Sequence, residues 1–313
     1  MPDSDYDVAI IGAGCAGLGA GMYAGRFGLK TVVLGELPGG TITQTHLVEN
    51  YPAFTSISGL ELGTKLLEHA KASDAQVNME KVMDIEKEKD GSFHIKTDTA
   101  NYSAKAIIIA TGTEWKKLGV PGEAEFANKG VHYCALCDGG FYKGKKIAVV
   151  GSGDSAVKES LLLAEFGSEV NILVRGDKIK GEPINNKRAM ENKKIKIFTN
   201  VEVEEIIGEE KVTKLRLTRP ISAQEGAPKS DELETDAVFV MVGHLAKTEL
   251  ASKLGVNLSP KGEIIIDKMS KTNVEGIFAA GDCCDTAFKQ AIISAAEGVS
   301  AAFSANEYIR RKG

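Results

Sequence analysis

Residues 6–11, YDVAII, make a short apolar run rich in β-branched side chains, followed by GAGCAG and then a helical stretch. The same succession returns about 140 residues later, where 146–156 read KIAVVGSGDSA and a second helical pattern follows. A self-similarity at this distance marks two copies of one building unit. Further strands are expected at Thr31–Leu34, 106–110, 170–174 and 237–242, with helical patterns between several of them. That alternation predicts parallel, doubly wound sheets. Segments 81–89 and 92–101 read as an added antiparallel layer, as do 201–207 and 211–219, and 220–231 reads as an exposed hairpin loop rich in Pro, Gly, Ser and charge. Near the end, 277–282 (IFAAGD) is a strand closing in a Gly-Asp turn, and 290–308 follow a helical pattern.

Each glycine-rich turn sits between a strand and a helix, the context in which G-x-G-x-x-G or G-x-G-x-x-A binds a dinucleotide. Gly12 and Gly151 allow the tight turn. Gly14 and Gly153 let the backbone approach a pyrophosphate, and Gly17 or Ala156 lets helix pack closely on strand. The phosphates would then lie at a helix N-terminus, where unpaired N–H groups favour negative charge. Glycine used only for turning is the alternative for one copy alone; the repetition, correctly placed twice, argues against it. A second fingerprint at Lys146 means that a new domain has begun by then, and the 277–308 strand and helix read as the chain returning to the first.

Length adds that 313 residues suffice for two hydrophobic cores. No apolar run reaches the ~20 residues of a membrane span, so no membrane partner is expected. The acidic stretch 1–7 runs directly into a strand, which predicts neither signal nor transit peptide and a cytoplasmic protein. Lys and Arg number 38 against 43 Asp and Glu, with the cations scattered, which argues against nucleic acid as a partner. Five cysteines, an odd number, fit chemistry better than a structural disulfide framework.

In chain order the sequence carries GAGCAG at 12–17, GG at 39–40, VENYP at 48–52, ATG at 110–112, CALCDG at 134–139, GSGDSA at 151–156, VGH at 242–244, GIFAAGD at 276–282 and KQA at 289–291. This ordered set resembles the low-molecular-weight thioredoxin reductases, FAD-dependent pyridine nucleotide-disulfide oxidoreductases, over essentially the whole chain. The resemblance implies an α/β protein with two Rossmann-like domains. Residues 1–117 and 246–313 would form a discontinuous FAD domain, into which a nicotinamide domain of 118–245, carrying the dithiol, is inserted. Homodimers are common among such proteins, and one is expected here.

By the same resemblance, FAD would contact Gly12, Gly14, Ala16, Gly17, Gly40, Thr41, Asn50, Ala110, Thr111, Gly112, Gly281, Asp282, Lys289, Gln290 and Ala291, with Asp282 on the ribityl hydroxyls. The start of the last helix supplies amides that suit an anionic reduced flavin. Lys289 stands where bacterial relatives often carry Arg, keeping the charge and losing the planar fork. Glu36, 19 residues after Gly17, lies where an acid commonly holds the adenosine ribose; a plain loop carboxylate is the other reading.

Cys134-Ala-Leu-Cys137 separates a disulfide reductase from other two-dinucleotide flavoproteins, since this spacing lets two thiols meet across one turn. A zinc half-site is the competing reading, but no second C-x-x-C or spaced His pair completes four ligands, and no metal is expected. The resemblance implies that Cys137 exchanges electrons with the flavin at C4a while Cys134 forms the mixed disulfide with the partner. Asp138 would move the proton to and from sulfur. It is also placed to cap a helix. His132 is taken as structural, because relatives carry non-titrating residues there. Adjacent Cys283 and Cys284 are expected to be buried packing rather than a disulfide, and Cys15 a tolerated residue beside the phosphate turn.

The nicotinamide would contact Gly151, Gly153, Asp154, Ser155 and Ala156, with Arg175 and Lys180 at the 2′-phosphate. NADPH-using relatives carry H-R-R and a fourth cation, where this chain has Val174, Arg175, Gly176 and Lys180. NADPH is the expected donor and NADH the alternative. Relatives that use ferredoxin or a deazaflavin have usually degraded the second fingerprint, which is intact here. The expected activity is reduction of a small thioredoxin-like protein. A dithiol oxidase working in reverse and a non-turnover flavin sensor or scaffold are the competing readings.

Overall fold

The computed structural model describes residues 5–221 and 230–312 and divides into two compact units, 1–114 with 245–313, and 115–244. The crossings fall at 114/115 and 244/245, three and one residues before the boundaries read from sequence. Each unit is built around a set of parallel strands to which antiparallel strands are added.

In the first unit the strand Tyr6–Ile11 pairs in parallel with Thr31–Leu34 on one side and Asn101–Ile109 on the other. Strand Gln76–Asn78 extends the sheet beyond Thr31–Leu34, and Ile277–Ala279 returns from the far end of the chain to pair with residues 107–109. Side chains of successive residues point to opposite faces of a strand, so a strand covered on both sides must be apolar throughout. Val8, Ile10, Ala106 and Ile108 face the helices Cys15–Arg26 and Ala291–Lys312; Ala9, Ile11, Ile107 and Ile109 face the opposite layer with Ile85, Phe93 and Ile264. The two helices pack nearly backbone to backbone: a Cβ on Gly298 would lie 2.0 Å from Ala16 O.

In this unit the expected antiparallel layer, which packs Ile85, Phe93 and Ile95 on the face of the parallel strands, is hydrogen-bonded into the same sheet. Strand Asn101–Ile109 is long enough that its first half pairs with Phe93–Thr97, itself paired to Val82–Lys87, while its second half pairs with Ile277–Ala279. One continuous sheet results, because a single nine-residue strand can serve two neighbours in succession along one edge.

The second unit has the strand order 195–199, 169–174, 146–150, 237–240, 131–132, all parallel. A three-stranded antiparallel sheet, Val203–Gly208, Val212–Ile221 and Ser230–Glu234, packs on it through Leu215, Leu217 and Leu233. Of the expected loop at 220–231, residues 222–229 lie outside the described residues; 220–221 and 230–231 belong to the paired strands. Among the described residues no helix is long and apolar enough to cross a membrane.

Candidate active site

Four separate stretches of chain, 12–17, 39–40, 110–112 and 281, meet at the carboxyl ends of the first unit's parallel strands. Gly12 has φ +114°, and a Cβ there would stand 2.1 Å from Ala110 O, so only glycine lets the first turn pass under residues 110–112. A Cβ on Gly281 would come within 2.8 Å of that of Ala16. Gly14 forms an isolated bridge with Gly39, and its neighbour Gly40 is left-handed at φ +68° with its own Cβ position 2.7 Å from Gly14 Cα. Gly14 caps the helix Cys15–Arg26 without a side-chain hydrogen bond. The first-turn amides therefore have no side-chain oxygen in front of them, which fits a pyrophosphate approaching the bare backbone.

Polar groups surround this cradle. Ser294 Oγ donates to Asp282 Oδ1 at 3.0 Å, and Asn50 Nδ2 donates to Gln290 Oε1 at 3.2 Å across 240 residues of sequence. Thr111 Oγ1 donates to Lys247 O at 2.6 Å. Thr41 is exposed in the turn Gly40–Gln44, and Ala291 opens the closing helix. Lys289 directs its ammonium to Glu263 Oε1 at 2.5 Å and to Asp282 O at 2.8 Å, so it braces the Gly281-Asp282 turn through an ion pair. Glu36 is exposed, one residue beyond Gly35, whose Cβ position touches Ala13 N at 2.5 Å.

Glu297 escaped the sequence reading. Its carboxylate accepts from Gly281 N at 2.8 Å and from Thr286 Oγ1 at 2.5 Å, fixing the same turn. The signal was present, since Glu297 is the only charged residue within 291–305.

The second unit repeats the cradle. Gly151, with φ +149°, would put a Cβ 2.2 Å from Met241 O and 3.0 Å from the methyl of Ala156, whereas a Cβ on Gly153 meets nothing within 4 Å. Gly153 caps the helix Asp154–Phe166, again without a side-chain bond, and Ser155 is exposed on its first turn. Asp154 accepts from Glu182 N at 2.8 Å and Asn185 Nδ2 at 3.2 Å and pairs with Lys158, which tethers the 181–185 segment. These bonds, led by the one from Glu182 N, hold its carboxyl below the usual range against burial that acts the other way. Lys180 donates its backbone N–H to Ser152 O at 2.5 Å and bridges to Gly153, so its exposed side chain starts beside the phosphate turn. Arg175 is exposed at the end of strand Glu169–Val174. Both cradles thus fit a dinucleotide in backbone and chemistry.

Cys134 and Cys137 form a disulfide with Cα atoms 5.4 Å apart. Cys134 caps the one-turn helix Ala135–Asp138 and Cys137 lies within it, and the Cys134 sulfur accepts from Cys137 N at 3.2 Å. Ala135 is fully buried against the second unit's core, which anchors the turn and leaves its outer side exposed at Leu136. Asp138 Oδ2 lies 3.2 Å from His132 Nδ1, and His132 Nε2 lies 2.7 Å from the Tyr142 hydroxyl. His132, set down as structural from sequence, therefore touches the proposed proton carrier. Glu159, on the Asp154–Phe166 helix, was also missed. It accepts from the Ala135 backbone, its other carboxylate oxygen is buried with no hydrogen-bond partner, and burial pushes its carboxyl up to about 7.

The other three cysteines are free and buried. Cys283 and Cys284 place their sulfurs 3.9 Å apart, and the Cys283 sulfur together with burial pushes the Cys284 thiol far up. Burial likewise pushes Cys15 up to about 12. Cys15 and Cys284 are packing thiols, held protonated. Among the described residues no group of His, Cys, Asp and Glu is arranged to hold a metal ion.

The chain belongs to the pyridine nucleotide-disulphide oxidoreductase family, whose model matches residues 6–298. It is 41% identical to the thioredoxin reductase of Bacillus subtilis over 97% of this chain and 95% of that one. It is 39% identical to the thioredoxin reductase of Treponema pallidum, over 98% of each. The crystal structure of Lactococcus lactis thioredoxin reductase superposes with a TM-score of 0.91 at 36% identity, covering 98% of this chain and all of that one.

Proposed function

We propose that this chain is a thioredoxin-disulfide reductase, passing two electrons from a nicotinamide dinucleotide through FAD to the Cys134–Cys137 disulfide and on to a thioredoxin-like protein. The net change is NAD(P)H plus a proton plus a partner disulfide giving NAD(P)+ and a partner dithiol. The observation that carries this reading is the Cys134–Cys137 disulfide beside Asp138, on a unit that also bears a dinucleotide cradle, in a chain with a second cradle in its other unit. Thioredoxin reductases matched over nearly their full length support it, and they do not favour the oxidase or scaffold readings.

FAD belongs to the first unit, held by the 12–17 turn, residues 40–41, Asn50, 110–112, Gly281-Asp282 and 289–291, with Glu36 near the adenosine ribose. Bound there, it accepts a hydride and releases electrons to a disulfide. The nicotinamide dinucleotide belongs to the second unit, on Gly151, Gly153, Ser155 and Ala156, with Asp154 tethering the segment beside it and Arg175 and Lys180 facing a 2′-phosphate. NADPH is the proposed donor on those two cations, and NADH the alternative.

Cys134 attacks the partner disulfide, forming a mixed disulfide and releasing one partner thiolate. Cys137 then attacks Cys134 Sγ, which restores the 134–137 bond and releases the second partner thiolate. Asp138 takes the proton from the attacking thiol and returns it to the departing sulfur. A cytoplasmic homodimer is the proposed working form. Steady-state reduction of a purified thioredoxin with NADPH, NADH or reduced ferredoxin as donor tests the reading; no turnover with any of the three refutes it.

A further inference from the structure

Asp138 is the group that must hold and return a proton, and its surroundings are unusually fixed on one side. His132 lies in the short strand Val131–His132, paired in register with Phe239 of strand Ala237–Val240. Its ring stacks on the Phe239 ring at 5.3 Å and meets Tyr142 edge on at the same distance. The side chain is only 5% exposed. Backbone pairing and two aromatic walls leave the imidazole no freedom to swing away, so its two nitrogens have fixed neighbours: Asp138 on Nδ1 and Tyr142 on Nε2.

Those neighbours select a tautomer. Burial lowers the His132 pKa, against the pull of Asp138, so the ring is neutral at neutral pH and carries one N–H. Burial raises the Tyr142 pKa, with Asp138 and Asp236 adding to it, so the phenol keeps its hydrogen. The Tyr142 O–H then donates to Nε2. The imidazole hydrogen is left on Nδ1, in the way that the second bond of a histidine fixes which nitrogen is protonated; Asp138 Oδ2 is 3.2 Å away but outside hydrogen-bond geometry, so Nδ1 is buried and not yet paired. The remaining titratable groups around the turn are Glu159, at the Ala135 backbone, and the two cysteines themselves.

We infer that His132 is a positioning residue for Asp138: locked by Tyr142 and Phe239, it holds a neutral Nδ1–H 3.2 Å from the Asp138 carboxylate, which completes the bond by a small turn of its own and is thereby held in the rotamer from which it exchanges protons with the dithiol. The inference rests on the proposed role of Asp138. His132 itself touches no substrate; it acts by removing the freedom of a half-exposed carboxylate to turn toward water. Asn has an amide that reaches the Nδ1 position, whereas Gln reaches the Nε2 position and Leu offers no donor.

Nitrogen-15 NMR of the full chain labelled in histidine gives a readout independent of turnover. His132, assigned by its absence in H132N, is expected as the Nδ1–H tautomer, and Tyr142→Phe should release it to a mixture. An Nε2–H tautomer in the parent protein overturns the inference. In kinetics with a thioredoxin disulfide, H132L and H132Q should lower kcat about tenfold with KM unchanged, the loss expected for a misplaced reacting group. H132N should recover most of it. Equal kcat in H132N and H132Q contradicts the positioning role, even where H132L fails to fold. Asp138→Asn separates the two claims: unchanged kcat there sinks the reading of Asp138, whereas an impaired D138N beside an unimpaired H132Q sinks only that of His132.

Discussion

Replacing Glu159 with Gln should stabilise the protein in alkaline solution and much less in acid. One oxygen of Glu159 accepts from the Ala135 backbone and the other is buried with no partner, and burial pushes the carboxyl from 4.5 to about 7. Between those two values the native state holds a proton that the unfolded chain has released. Stability therefore falls as pH rises through the window and levels off above about 7. At full ionisation the cost is at most about 3 kcal/mol, and about 2 kcal/mol of it accrues between pH 5 and pH 8.5. Gln keeps the acceptor for Ala135 and leaves an unpartnered amide at every pH, so the amide's own cost cancels between the two conditions. Trp115, the only tryptophan, lies in the second unit against its core, so its fluorescence reports that unit in urea. Relative to the parent, E159Q should gain about 2 kcal/mol on going from pH 5 to pH 8.5. A difference that does not change with pH would refute the assignment of a buried, destabilising carboxylate.

The donor preference should move with the cations beside the second cradle. Arg175→Ala should raise KM for NADPH by roughly tenfold to hundredfold and leave NADH kinetics nearly unchanged, as befits one charged hydrogen bond. Gly176 has no left-handed φ and a Cβ there meets nothing within 4 Å, so Gly176→Arg should fit and favour NADPH; equal effects of either change on both nucleotides would contradict the 2′-phosphate assignment. Gly281→Ala, strained at φ +85° and crowding Ala16, should yield folded protein with less than half the parent's flavin absorbance per chain, and full FAD content would place the flavin elsewhere.

The fingerprints were readable because each depends on a local rule: a turn that only glycine can make, directly between a strand and a helix. The same holds for Thr31–Leu34, whose four buried residues match the expected strand at both ends. Continuity of the antiparallel strands with the main sheet was not readable, since nothing local says that residues 101–109 change partners halfway along. At the site, Cys134 and Cys137 announce themselves by spacing. Glu297 and His132 act instead through partners 16 and 6 residues away, at Gly281 and Asp138, and such pairings exist only once the strands are in register. Glu159 gave no sequence signal, because one acid in an amphipathic helix reads as solvated surface.

Anaerobic reductive titration tests the central claim most directly, because it counts the redox centres in series. The flavin and the Cys134–Cys137 disulfide are each two-electron couples. The parent protein, titrated with dithionite, should take up about four electrons per chain, and Cys134→Ser or Cys137→Ser about two, with the flavin still bleached by NADPH in both variants. Adding excess oxidised thioredoxin to the reduced parent should draw about four electrons per chain into the partner, since the flavin reduces the disulfide again after the dithiol's first transfer. Uptake of only two electrons by the parent, or full reoxidation by thioredoxin in the Cys134→Ser variant, would contradict an electron path through this disulfide.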